Sequence, residues 1–280
     1  MDVIHGFIND YIETTPLGTS LQSIGLDLNN FVRVFALYWV ILVIGGALLY
    51  FVAAGLSYLV IFILFPNQLL DEDDKKVKPG QLKTEIITSV QGIPTVSALT
   101  ALMYMIHWAG YGRLYYNLED YGWGYLLGSL VGFLLFTDCG IFFIHYALHW
   151  KPLYDRFHCT HHSFKYPTPF AAIAFDPYDG FAQSFPYHLY TFLFPFWNWA
   201  YLGMFIFVQV WTISIHDRVS FAGLDGIING SAHHRGHHFF YRFNYGQYTT
   251  LWDRLMGTYR VWNGGKFTKA TPRFEEDKED

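Results

Sequence analysis

Cysteine is scarce in this chain. Its two cysteines, Cys139 in an apolar run and Cys159 among histidines, exclude a disulfide framework and agree with a reducing compartment. Charge is scarce as well: Asp, Glu, Lys and Arg make up 15% of the 280 residues, the net charge is -5, and the 18 Lys and Arg are scattered. Without a basic surface, nucleic acid is excluded as an expected partner. The first 30 residues contain no Lys or Arg, so a charged n-region before an apolar h-region is missing and a cleaved signal peptide is not expected. What the chain has in excess is apolar and aromatic content, at 52% and 20%, too much for an ordinary soluble domain. A membrane is the expected solvent.

The apolar residues fall into blocks of spanning length. Residues 34–65 carry no formal charge and end at Pro66, and at about 1.5 Å rise per residue they exceed the roughly 30 Å hydrocarbon core. Residues 86–108 and 123–144 each have the length of one crossing, although the latter contains Asp138. Residues 182–215, broken by Pro186 and Pro195, are short for two full crossings and are read as a hairpin that enters the bilayer and returns. The sequence therefore predicts an all-α, polytopic membrane bundle forming a single domain over 1–280. Metal-binding segments are expected at 145–181 and 216–262, with a disordered tail at 268–280. The loop after the first span carries Lys75, Lys76, Lys78 and Lys83 while the next carries only Arg113, so the positive-inside rule sets the first loop in the cytosol. Counting onward puts the histidine-rich segments and the C-terminus there too, as a cytosolic cap on the bundle. The acidic stretch 71–74 is read as a solvated loop, and no internal repeat supports a transporter of inverted halves.

Histidine supplies the chemistry. The clusters are HYALH (His145, His149), HCTHH (His158, His161, His162) and HHRGHH (His233, His234, His237, His238), with His216 alone before the last. Histidines three and four apart share one helix face, and the extra neighbour in HxxHH lies about 100° round, so one helix can address two metal ions. An isolated HxxxH is usually ordinary packing, but repeated clusters change that balance and predict a dinuclear site. Neutral imidazole suits iron, zinc, copper or nickel, and the absence of a Glu-x-x-His set argues against a carboxylate-rich di-iron site. Iron with oxygen is the preferred reading, because zinc needs only three or four ligands. His188 and His233 are weaker ligand candidates, and His5 and His107 are expected to be structural. Asp138, seven residues before His145, is expected to accept the spare N–H of a ligand histidine and fix its tautomer. Phe164, Phe170, Phe181 and Trp211 are candidates for lining a lipid pocket.

The pattern HxxxH, HxxHH, HxxHH around apolar spans resembles the fatty acid hydroxylase and sterol desaturase superfamily. The segments TPFAAIAFDPYDGFAQSFPYH (168–188), WTISIHD (211–217), INGSAHH (228–234) and NYGQYTTLWDRLMGTYR (244–260) are similar to its C-5 sterol desaturase branch. That resemblance implies an endoplasmic reticulum enzyme with a histidine-bound di-iron centre. It would use O2 and electrons from NADH relayed through cytochrome b5 and its reductase to desaturate a Δ7 sterol at C-5(6), the sterol arriving among membrane lipids. It also implies nine iron ligands: His145, His149, His158, His161, His162, His216, His234, His237 and His238. Zinc can replace iron in a purified sample. The chain departs from the family pattern at Tyr146, Trp150, Ile173, Asp176 and Arg218, none of them a ligand position.

Two other readings compete. One keeps metal and oxygen but ends in hydroxylation, or in oxidation of a sterol methyl group, of a sterol or fatty acyl lipid; histidine spacing cannot separate these from desaturation. The other is a non-enzymatic membrane metal-binding or transport protein, which should hold its ligands at the bilayer midplane rather than at span ends.

Overall fold

A computed structural model describes residues 6, 30–70, 77–219, 226–263 and 266–268. His5, Lys75, Lys76, the acidic stretch 71–74 and all but the first residue of the expected tail lie outside them. The architecture is helical, with two small two-stranded pairings among the described residues.

Helix α1, Phe31–Tyr58, starts where the Asn30 side chain accepts from the Val32 amide at 2.9 Å, satisfying an amide that the first turn leaves without a partner. It continues through a π-helical stretch, Leu59–Leu64, until Pro66 interrupts it. Helix α2 is Gln81–Trp108, α3 is Gly122–Leu148, α4 is Pro177–Leu193 and α5 is Asn198–Ile215. Among the described residues, four stretches are long and apolar enough to cross a membrane: Phe31–Leu64, α2, α3 and α5. Side chains such as Ile44, Leu48, Val52 and Leu56 on α1 and Leu127, Val131 and Leu135 on α3 are exposed, as a lipid-facing surface requires. Small residues bring α3 against α4: a Cβ at Gly140 would lie 2.8 Å from the Pro186 ring, and Gly132 faces the Tyr190 hydroxyl, which donates to the Ser129 carbonyl.

The turn between α4 and α5 reaches the end of the bundle remote from the histidines. There strand β1, Leu114–Tyr115, pairs in parallel with β2, Phe196–Trp197, and the Arg113 amide donates to the Thr191 carbonyl. The two legs of this hairpin leave and return to one end, so that His161 and His216 meet with their Nε2 atoms 3.4 Å apart.

At that end sit short helical turns, Lys151–Leu153, Tyr154–His158 and Cys159–His162, then a 3-10 turn, Pro169–Ile173. Helix α6, Ser231–Phe240, and the short α7, Leu251–Met256, complete the cap. Two carboxylates hold its last loop. Asp253 accepts from the Tyr245 and Gly246 amides at 2.9 and 2.8 Å, and Asp138, near the middle of α3, accepts from the Tyr248 amide at 2.8 Å. Asn244 sits at φ 63°, and a Cβ at Gly246 would collide with the Thr249 carbonyl, so this loop admits few other sequences.

Candidate metal centre

Folding gathers the nine histidines into two adjoining groups. His145, His149, His158, His162 and His237 form one; His161, His216, His234 and His238 form the other; in each, one nitrogen per residue lies within 4.8 Å of all the others. α3 contributes His145 and, at its C-terminal cap, His149; the turns after Lys151 contribute His158, His161 and His162; the end of α5 contributes His216; and α6 contributes the rest. The HxxHH spacing does what one helix face allows: His237 joins the first group while its neighbour His238 joins the second.

Tautomers are fixed from outside. His145 Nδ1 lies 3.0 Å from the Tyr245 carbonyl, His216 Nδ1 2.7 Å from the Thr212 carbonyl, and His237 Nδ1 2.7 Å from the Phe243 carbonyl. His158 Nδ1 lies 2.6 Å from Asp179 Oδ2, with both side chains fully buried. Each oxygen can only accept, the carboxylate in its ionised form, so each of these imidazoles carries its proton on Nδ1 and turns a lone pair on Nε2 inward. Inside, Nε2 atoms face Nε2 atoms: His162 to His149 at 3.2 Å and to His158 at 3.1 Å, and His234 to His216 at 3.0 Å and to His238 at 3.2 Å. The Nε2 atoms of His145 and His237 are buried without a partner. Inward lone pairs repel one another unless a cation lies among them. Ligands bound at about 2.1 Å and near right angles would stand about 3 Å apart, so the donor set fits two metal ions.

Burial pushes the imidazoles outside the spans toward the neutral, ligating form. His216 is drawn down to about 4 by desolvation, and desolvation followed by neighbouring imidazoles holds His149, His161, His162, His234, His237 and His238 well below the usual range.

The weaker candidates stay outside. His188 sits against the Tyr201 hydroxyl at 2.7 Å, and His233 stacks on Tyr259; neither belongs to a group. His107 pairs with Thr191. Asp138 serves backbone amides and Thr249 instead of a histidine, because the 244–250 loop packs over its face of α3. The carboxylate that does meet a ligand candidate, Asp179, escaped sequence reading. Its signal was an acidic residue in the first turn of α4, four before Gln183, whose Nε2 donates to Asp179 Oδ1 at 2.7 Å.

A cavity of about 360 Å³, within the usual span for small-molecule sites, opens between α1, α2, α4 and α5, and its walls are mainly apolar. A recess of about 30 Å³ lies beside it, walled by His145 and His158 of one group and His161, His216 and His234 of the other. Phe175, Gln183, Thr212 and Gln247 line both spaces. None of the expected aromatics lines the cavity. Phe164 packs on Ala171 and Ala174, Phe170 on Tyr50 and Tyr58, and Phe181 on His188, while Trp211 donates its indole N–H to the Gln247 carbonyl at 2.7 Å. The aromatic edge of the site is Phe175 instead. Of the departures, Ile173 lines the cavity, Asp176 caps α4, and Arg218, at φ 71°, donates to the Pro167 and Tyr166 carbonyls. Tyr146 and Trp150 are exposed.

A membrane helical bundle with two histidine groups at one end of an apolar cavity defines a class, the histidine-rich membrane proteins with a candidate metal centre. The chain belongs to the fatty acid hydroxylase family, whose model matches residues 130–258. It is 42% identical over 237 residues to lathosterol oxidase of Mus musculus, covering 83% of this chain and 77% of that protein. It is 44% identical over 222 residues to lathosterol oxidase of Homo sapiens, covering 78% and 72%. To a Delta(7)-sterol 5(6)-desaturase of Schizosaccharomyces pombe it is 40% identical over 245 residues, covering 88% and 78%. No solved structure matches the chain.

Proposed function

We propose that this protein introduces the C-5(6) double bond into a Δ7 sterol. Two irons are held by the nine histidines, O2 is the oxidant, and NADH supplies electrons through cytochrome b5 and its reductase at the endoplasmic reticulum membrane. The observation that carries the proposal is the join between the two spaces: an apolar cavity of about 360 Å³ that shares its end wall with a histidine-lined recess. The relatives' names support the choice of a Δ7 sterol and of C-5(6). In balance, the sterol loses two hydrogens with two electrons, NADH gives two more, and O2 becomes two waters.

The protein's own part is positional. An unactivated C–H bond has no proton that a side-chain base can take near neutral pH, so bound iron with O2 supplies the oxidising power that removes the hydrogens. Tyr245, Thr212 and Phe243 carbonyls and the Asp179 carboxylate keep four imidazoles in the tautomer that presents Nε2 inward. The apolar walls, Ile41, Leu42, Ile93, Ile173 and Ile213 among them, exclude water and hold the sterol's rings, and Phe175 stands at the edge of the recess. The exposed Lys151 and Asp155 side of the cap leaves an electron donor free to approach from the cytosol.

The test is expression in a cell lacking its C-5 sterol desaturase, with sterols read by mass and by the absorbance of a conjugated 5,7-diene. Restored diene is the expected result. A hydroxylated or methyl-oxidised sterol without diene would transfer the protein to those activities, and an absence of iron-dependent O2 consumption with any lipid would leave only a metal-binding role.

A further inference from the structure

The bond proposed to react determines where the substrate's only polar group must lie. In a Δ7 sterol the hydroxyl-bearing carbon C-3 is separated from C-5 by a single carbon, while the aliphatic tail leaves the opposite end of the ring system. With C-5 at the histidine-lined recess, the hydroxyl is held at the same end of the cavity and the tail runs away from it.

That end is where polar side chains join the two spaces: Gln183, Thr212 and Gln247 line both. Their hydrogen bonds set which way each amide faces. Gln183 Nε2 donates to Asp179 Oδ1 at 2.7 Å, and a carboxylate cannot donate back, which fixes the amide's orientation. Gln247 Nε2 donates to Thr212 Oγ1 at 3.0 Å, and Thr212 gives its own proton to the Val208 carbonyl at 2.9 Å, an arrangement that leaves the Gln247 carbonyl oxygen open. Both glutamines therefore offer a carbonyl oxygen, on which no hydrogen bond of the described residues ends. Two open acceptors suit a hydroxyl, whose proton they can take; a ketone or a methyl ether brings no proton for them and can meet only the second N–H that each amide keeps.

We infer that Gln183 and Gln247 read the substrate's 3-hydroxyl through their carbonyl oxygens and so position C-5 at the histidines, with the tail toward Ile41, Leu202 and Ile206. This rests on the desaturase reading. It adds a second task for Gln183, which touches substrate on one side and, through Asp179, His158 on the other.

The experiment compares kcat/KM for diene formation from a Δ7 sterol, its 3-methyl ether and its 3-ketone, in membranes containing the full chain with its electron donors. The wild-type protein is expected to prefer the free hydroxyl by roughly 10- to 100-fold, the scale of one buried, unmet hydrogen bond. Gln183→Met and Gln247→Met, which keep side-chain length and remove the acceptor, are each expected to bring that ratio toward one, chiefly through KM for the free sterol. Metal content of each variant separates this from misfolding, and the second variant decides where the first loses its metal. Ser97 and Thr100 mark the opposite orientation, since they line the cavity farther along α2. An unchanged ratio in both glutamine variants, or its loss in Thr100→Val instead, overturns the inference while leaving the desaturase reading standing. No diene from any sterol in the wild-type protein overturns both.

Discussion

His158 and Asp179 are 21 residues apart in sequence and 2.6 Å apart in space. A carboxylate bound to the outer nitrogen of an imidazole fixes its ring and raises its basicity, and loss of such a partner costs on the order of 10- to 100-fold in metal affinity or activity. Asp179→Asn is therefore expected to lower metal content, measured by elemental analysis of purified protein, while leaving helix content unchanged. His234→Gln should lose metal outright, whereas His233→Gln should retain it, because His233 stacks on Tyr259 and stands outside both groups. Equal metal content in these two variants would remove the distinction drawn between neighbouring residues. The nine histidines were legible because their spacing is local and one helix turn suffices to align them. Asp179 was not, because its partner is chosen by the docking of α4 on the turns after Lys151. Asp138 was misread for the same reason: its heptad relation to His145 is local, but the 244–250 loop that captures it comes from 110 residues away.

Among the elements, α4 carries the join between cavity and recess, and it does so through a glycine. A Cβ at Gly180 would collide with the Phe175 ring, and Phe175 lines both spaces. Gly180→Ala is expected to push that ring toward the histidines, raising KM for the sterol several-fold with metal content retained; a KM that does not move would show that Phe175 has room to yield. The cap's last loop depends in turn on Asp253. Replacing it by alanine leaves the Tyr245 and Gly246 amides without their acceptor and the Thr258 hydroxyl with only the main-chain carbonyl of that residue, at 3.5 Å. A cost of about 1–3 kcal/mol is expected, with faster amide hydrogen exchange between 244 and 250. The apolar blocks were readable as long helices, since length and hydropathy alone decide them. Their ends were less so: α2 begins at Gln81, ahead of residue 86, because Glu85 is buried by hydrogen bonds from Thr168 and Gln81 that no local pattern announces.

For the whole molecule the deciding question is which way the bundle sits. Trp123 and Trp150 are 67% and 65% exposed and flank α3, at a separation of about 40 Å along a helical rise, near the full thickness of a bilayer with its interfaces. Aromatic side chains favour those two levels, so the histidine end starts where the hydrocarbon stops. Lys78 and Lys83 border α2 on the histidine side, whereas the loop at the other end carries only Arg113, and on this asymmetry we propose that the histidine end faces the cytosol. Cys159 reports on this directly, being exposed on the cap, while Cys139 lies half-buried within α3. In sealed microsomes carrying Cys139→Ser, a membrane-impermeant maleimide is expected to label Cys159 without detergent, and Cys159→Ser should abolish the label. Labelling that appears only after permeabilisation would invert the orientation. The clusters would then face the lumen, where no cytosolic electron donor could reach them, and the redox partner proposed for the site would fall with it.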